Sequence, residues 1–80
     1  MKKVGIVNHY YGKIGVATMK LSGSLKVGDK IKIKDGEREF EQSVTSMQLE
    51  HEKVSEAKKG EVIGLEVKEK AREGATVHTL

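Results

Sequence analysis

Lysine and isoleucine alternate strictly from Lys30 to Lys34. A period of two sets one face of a strand in a core and the other in water. The same pattern runs along most of the chain. Val4-Gly5-Ile6-Val7-Asn8 predicts a first strand with Val4 and Ile6 on one face. Ile14 to Leu21 predicts a second. Lys20 belongs with Ile14, Val16 and Thr18, so Gly15, Ala17, Met19 and Leu21 are expected inward, leaving Ile14 and Val16 as apolar residues outside. After the third strand at Lys30–Lys34, Asp35-Gly36 is a hairpin signal, and a long fourth strand is expected from Arg38 to about Glu50. Phe40, Gln42 and Val44 share one parity whereas Met47 and Leu49 take the other, which predicts a bulge near Thr45-Ser46. Val54 to Lys59 is too short for a stable helix and reads as a single turn. Val62–Val67, with Ile63, Leu65 and Val67 inward, and Ala75–Leu80 supply strands five and six.

Three glycine turns punctuate these strands: Val27-Gly28-Asp29, Lys59-Gly60-Glu61 and Glu73-Gly74-Ala75. Gly28 can take φ > 0 without steric cost, and the Asp29 carboxylate is expected to bond backbone N–H groups just beyond it. Six short strands, turns about every ten residues and no long helix predict an all-β, six-stranded closed barrel. The 80 residues contain no proline that would blunt an exposed edge, and closure removes edges altogether. Gly5, Gly15 and Gly64 lie inside strands, where a small barrel bends sharply or packs tightly. Residues 1–80 read as one domain, with no linker, repeat or low-complexity tract.

A chain of this length buries only about 60% of its unfolded surface, which leaves no room for a core and a deep catalytic cleft together. It has no cysteine, which excludes disulfides and thiolate metal sites and fits a reducing interior. Neither a signal peptide nor an apolar span is evident, so a soluble cytoplasmic protein is expected. Abundant Lys and Glu without Cys also suits a thermophile. Charge is uneven. Residues 1–34 hold eight lysines against Asp29, leaving +7, and residues 35–80 hold seven bases against eleven acids, leaving −4. The basic part reads either as an electrostatic footprint for phosphate or as lysines solvating strand faces.

The residue types needed for catalysis are scattered. His9, His51 and His78 are spread over the chain, and Glu50-His51-Glu52 lacks a second histidine at metal spacing. No serine is marked by an adjacent base, Glu39 and Glu41 fit a solvent-facing strand, and no phosphate-cradling glycine loop occurs. No catalytic residue, metal, cofactor or nucleotide site is expected. Binding fits better. His9, Tyr10 and Tyr11 put three rings in one connection, followed by Lys13 and the apolar exterior of Ile14 and Val16. Rings can stack on unpaired bases while lysines, including Lys30 and Lys32, meet phosphate. A tyrosine can equally cap a barrel end. Gln48 and His51, where the fourth strand leaves its bulge, form a second candidate face; a polar residue simply facing solvent is the other reading of Gln48.

Leu25-Lys26-Val27-Gly28-Asp29-Lys30-Ile31-Lys32-Ile33 resembles the third-strand entry of domain 2 of translational GTPases such as elongation factor Tu. The run from Val44 through Gln48, Glu50 and Gly60 to Val62-Ile63-Gly64-Leu65 resembles the same domain, most closely its archaeal and eukaryotic versions, and Arg72-Glu73-Gly74 resembles its closing turn. The resemblance covers nearly the whole chain and implies a six-stranded Greek-key barrel. In elongation factor Tu this barrel helps hold the aminoacylated 3′ end of tRNA, with the terminal adenosine on apolar residues near an acidic one. Ile14 falls at one such apolar position and Gln48 at the acidic one, while Glu66 stands where another apolar residue is expected. The chain has no GTPase domain, so nucleotide hydrolysis and tRNA delivery are beyond it alone. Tyr11-Gly12-Lys13-Ile14-Gly15-Val16-Ala17 looks closer to the barrel appended to some U32-family peptidases and to small stand-alone archaeal copies. The resemblance implies a non-catalytic module that binds RNA (a tRNA end or single strand) or the translation apparatus. The alternative is a protein-interaction module docking on a separately encoded enzyme or GTPase.

Overall fold

The computed structural model describes every residue except Met1 and His51, so the expectation for His51 lies outside the described residues. Ten strands follow in order: β1 (Lys2–Tyr11), β2 (Val16–Leu21), β3 (Leu25–Lys26), β4 (Lys30–Asp35), β5 (Arg38–Ser43), β6 (Met47–Leu49), β7 (Glu52–Val54), β8 (Glu56–Ala57), β9 (Val62–Glu66) and β10 (Thr76–Thr79). The main sheet has the antiparallel order β5-β4-β10-β1-β2-β9-β6-β7, and β3 pairs with β8. The last long strand thus lies between β1 and β4, a Greek-key-like return.

Alternation sets the faces as predicted in β2, β4 and β9. Ala17, Met19, Leu21, Ile31, Ile33, Ile63 and Leu65 are buried in one core with Val4, Val7, Phe40, Val44, Met47 and Val77. Each large side chain there contributes about 1.5–3 kcal/mol of transfer free energy. β1 departs from the expected pattern. Its register shifts between Lys3 and Gly5 against β10, and between Val7 and His9 against β2. The first bulge turns both Val4 and Gly5 inward, so Ile6 faces solvent and Val7 takes the core position. The expected fourth strand is two strands. β5 pairs with β4, whereas β6 pairs with β9 and β7, and residues 44–46 cross between them with Val44 and Met47 both buried. The stretch expected as a single turn near 54–59 holds the end of β7, then β8 and a tight turn.

The three glycine turns share one construction. Backbone bonds join Asp29 N–H to Lys26 O (3.1 Å), Glu61 N–H to Lys58 O (3.1 Å) and Ala75 N–H to Arg72 O (3.0 Å). Glycine stands third in each, at φ 99°, 92° and 89°, the positive φ that a type II turn demands at that place. In two of them an acid at the fourth position accepts from the first N–H: Lys26 N–H donates to Asp29 Oδ2 (3.0 Å) and Lys58 N–H to Glu61 Oε1 (2.6 Å). Asp29 therefore bonds an amide before it, not beyond it. The third turn has alanine at the acid's place. There Arg72 N–H donates to Oδ2 of Asp35 (3.3 Å), which also accepts from Arg72 Nε (3.2 Å). A carboxylate 37 residues away replaces the local cap.

The edge strand β5 is tied to the end of the interior strand β9 by a side chain. Gln42 Nε2 of β5 donates to Glu66 O (2.8 Å), and Lys68 N–H donates to Gln42 Oε1 (2.9 Å). The amide thus copies the donor–acceptor pair that a neighbouring strand would offer β9 and its continuation. Gln42→Ala is expected to cost about 1–2 kcal/mol, a fall in Tm of roughly 5–15 °C by calorimetry. Gln42→Glu keeps only the acceptor and should fall between.

Candidate functional site

β1 runs on through Tyr11, so the three rings expected in one connection belong to a strand and are split between its faces. His9 and Tyr11 share the outer face with ring centroids 4.3 Å apart at 61°. Tyr10 points the other way and packs against the core. The chain reverses at residues 12–15, where Ile14 N–H (3.3 Å) and Gly15 N–H (3.0 Å) both donate to Tyr11 O, and Gly15 takes φ 66°. Ile14 therefore lies in the turn rather than on β2, and is 67% exposed.

Strand registers build a concave patch beside this turn. Across the outer face, His9 lies opposite Thr18, Thr18 opposite Gly64, and Gly64 opposite Gln48. In the next row Tyr11 lies opposite Val16. Gly64 supplies no side chain in the middle of these rows, and the result is a cleft of about 410 Å³ walled by Tyr11, Ile14, Val16, Val62, Thr18 and Gln48. Its volume falls within the roughly 300–1,000 Å³ typical of small-ligand sites. Glu50 also reaches it, from the turn after β6, with φ 52°. That backbone conformation costs a non-glycine residue on the order of 1–2 kcal/mol.

Four of the sequence-selected residues (Tyr11, Ile14, Val16 and Gln48) thus meet at one place. The others do not. His9 turns from the cleft to Glu73, with Nδ1 3.3 Å from Oε1. Tyr10 lines a separate cleft of about 510 Å³ together with His9, Asp35 and Arg72. Lys30 and Lys32 sit on β4, separated from β2 by β10 and β1. Lys32 is occupied by Glu39 (3.4 Å) and Glu41 (3.6 Å). Lys13 is exposed in the turn beside the cleft but does not wall it. Glu66, at a position where the resemblance leads to an apolar residue, accepts from Thr45 Oγ1 (3.2 Å) and stays out of the Gly64 cleft. Thr18, Glu50, Val62 and Gly64 were not singled out from the sequence. The available signal was Gly64 itself, a glycine at an outward position between inward Ile63 and Leu65.

His78 on β10 has a displaced titration. Burial lowers its pKa from the usual 6.5, and Lys34, Lys3 and Lys32 lower it further. The neutral ring pairs Nε2 with Thr76 Oγ1 at 2.9 Å. Unfolding removes burial and lysines alike, so the unfolded chain binds this proton more readily. This contribution to stability is complete above about pH 6.5 and declines as pH falls towards the lower folded value. Thermal melts of His78→Gln should lack that decline.

An all-β module with a shallow cleft on its outer sheet face is the class this geometry defines. The family model for elongation factor Tu domain 2 matches residues 16–78, and the chain belongs to that family. It is 39% identical over 79 residues to an uncharacterized protease of Methanocaldococcus jannaschii; the match covers 98% of this chain and 19% of that protein. Two crystal structures of the C-terminal domain of a Geobacillus thermoleovorans protein assigned to the U32 peptidases superpose with TM-scores of 0.92 at 18% identity. They cover 98% and 99% of this chain, and 99% and 92% of their own. The fold is thus that of the domain 2 barrel and of the peptidase-appended module. Among the described residues no helix is long and apolar enough to cross a membrane.

Proposed function

We propose that this chain is a non-catalytic RNA-binding module whose Gly64 cleft holds the unpaired terminal nucleotide of an RNA such as the tRNA 3′ end. The carrying observation is the meeting of Tyr11, Ile14, Val16 and Gln48 around a glycine floor. The ring and aliphatic walls suit the face of a base, and such stacking is worth about 1–3 kcal/mol per base. The Gln48 amide and Thr18 hydroxyl offer hydrogen bonds to a base edge or ribose, and Glu50 can accept from a ribose hydroxyl. Lys13 lies exposed in the turn beside the cleft, where its charge can add to the field that attracts an RNA backbone. Titrating a tRNA acceptor-stem minihelix at low salt tests the reading. A version with its single-stranded 3′ overhang should bind, weakly and more weakly as salt rises, and a blunt version should bind less. Equal binding of the two, or none, contradicts it.

The second reading is a protein-interaction module serving an enzyme. Its support is the 39% identity to a protease over 98% of this chain, and the same aliphatic walls suit an apolar side chain. Salt separates the two, since an apolar protein contact would survive an ionic strength that weakens RNA binding.

A further inference from the structure

The outer face of β2 continues past the Gly64 cleft. Val16, Thr18 and Lys20 share that face, and Val62 lies opposite Lys20. Beyond this row a second cleft, of about 630 Å³, opens between β1, β2 and the turn at Gly60. Lys3, Lys20 and Lys59 line it, with Asn8, Ser22 and a 41%-exposed Ile6. Among the described residues no carboxylate lines this cleft. The nearest acid in sequence, Glu61, accepts from the Lys58 N–H of its own turn. None of the three lysines has an ion-pair partner among the described residues, in contrast to Lys32 with its two glutamates. The basic character extends sideways, since Ile6 lies opposite Thr76 and Thr76 opposite Lys34.

We infer that this cleft is a phosphate track, holding the phosphodiester backbone of the same single strand whose terminal base enters the Gly64 cleft. The inference rests on the function proposed above. Three uncompensated ammonium groups around an apolar floor complement an alternation of phosphate and sugar. Lysine serves phosphate as a point charge without needing a fixed fork geometry. Val62, which walls the Gly64 cleft, lies opposite Lys20, which lines the second one, so the two clefts adjoin across β2 and β9.

The test is the salt dependence of binding by the overhang minihelix and by a short oligouridylate, read by fluorescence anisotropy. Each single-strand phosphate contact contributes about 0.7 to the slope of log K against log salt. The triple variant Lys3→Gln/Lys20→Gln/Lys59→Gln should therefore flatten the slope by about 2. A triple Lys→Arg variant, which keeps the charges, should retain it. Gly64→Val should lower affinity for the overhang minihelix and leave the slope unchanged. If RNA binds and the Gln triple leaves the slope intact, the phosphate track is overturned while the Gly64 reading stands. If the slope flattens but the overhang is not needed, the Gly64 reading is overturned and the lysine cleft remains the phosphate site. Absence of RNA binding at low salt overturns both. Tighter binding of poly-glutamate or of phosphatidylglycerol vesicles than of oligouridylate overturns the assignment of the cleft to nucleic acid.

Discussion

Gly64→Val should lower affinity for an RNA 3′ overhang by about tenfold or more while shifting Tm by only a few degrees. A Cβ at this position would meet Val16 Cγ1 at 3.3 Å and, apart from its chain neighbours, nothing else within 4 Å. Val16 is half-buried at the side of the cleft, so it needs to yield only a few tenths of an ångström. Valine is at home in a strand, which offsets that adjustment. The branched side chain would nonetheless occupy the floor on which the base is proposed to rest. Losing one stacked base costs about 1–3 kcal/mol, and 1.4 kcal/mol is a factor of ten. Anisotropy titration and calorimetry on the same sample separate binding from folding. Wild-type affinity in a folded variant would remove the cleft from the account.

Asp35→Ala should cause a large loss of stability, about 2 kcal/mol or a fall of roughly 8–16 °C in Tm. The Asp35 side chain is 8% exposed and takes both the backbone N–H and the Nε of Arg72. Its removal deprives the Arg72–Ala75 turn of the carboxylate that stands in for a local cap. Arg72 itself is 60% exposed, so its guanidinium rehydrates and adds little further penalty. The hydrogen bond from the Arg72 side chain lowers the Asp35 pKa from 3.8 against the opposing effect of burial. Below about pH 4 the unfolded chain takes up this proton first. The stabilisation is therefore full above that pH and is lost as pH falls through the lower folded value. Melts at successively lower pH should show a shallower acid decline for Asp35→Ala than for the wild type.

The parity of apolar residues was enough to place most of this fold. Alternation along Val16–Leu21, Lys30–Asp35 and Val62–Glu66 assigns faces because each strand pairs without interruption. It fails at Ile6, where the bulge between Lys3 and Gly5 resets the parity; Gly5 marks a bend there but not which neighbours it turns inward. The switch between Val44 and Met47 was legible as an irregularity, but whether it was a bulge or a change of partner depends on strands distant in sequence. Asp35 was hidden by its neighbour. Asp35-Gly36 reads as a turn, yet Asp35 pairs with Arg38, and the reversal uses Gly36 and Glu37. Its inward position follows from Ile31 and Ile33, two and four residues earlier. At the candidate site, Tyr11, Ile14, Val16 and Gln48 were selectable as outward apolar or amide residues. The split of Tyr10 from Tyr11 follows from the strand's extension through both. The lysines were legible as a group but not individually. Only the three-dimensional arrangement matches Lys32 to glutamates and gathers Lys3, Lys20 and Lys59 around one cleft.

Chemical-shift mapping of the 15N-labelled chain with an overhang-bearing acceptor minihelix tests the central claim most directly. Binding in the Gly64 cleft predicts shifts concentrated at Tyr11, Ile14, Val16, Thr18, Gln48 and Gly64. Shifts confined to β4 and β5, or none at saturating minihelix in low salt, would contradict it.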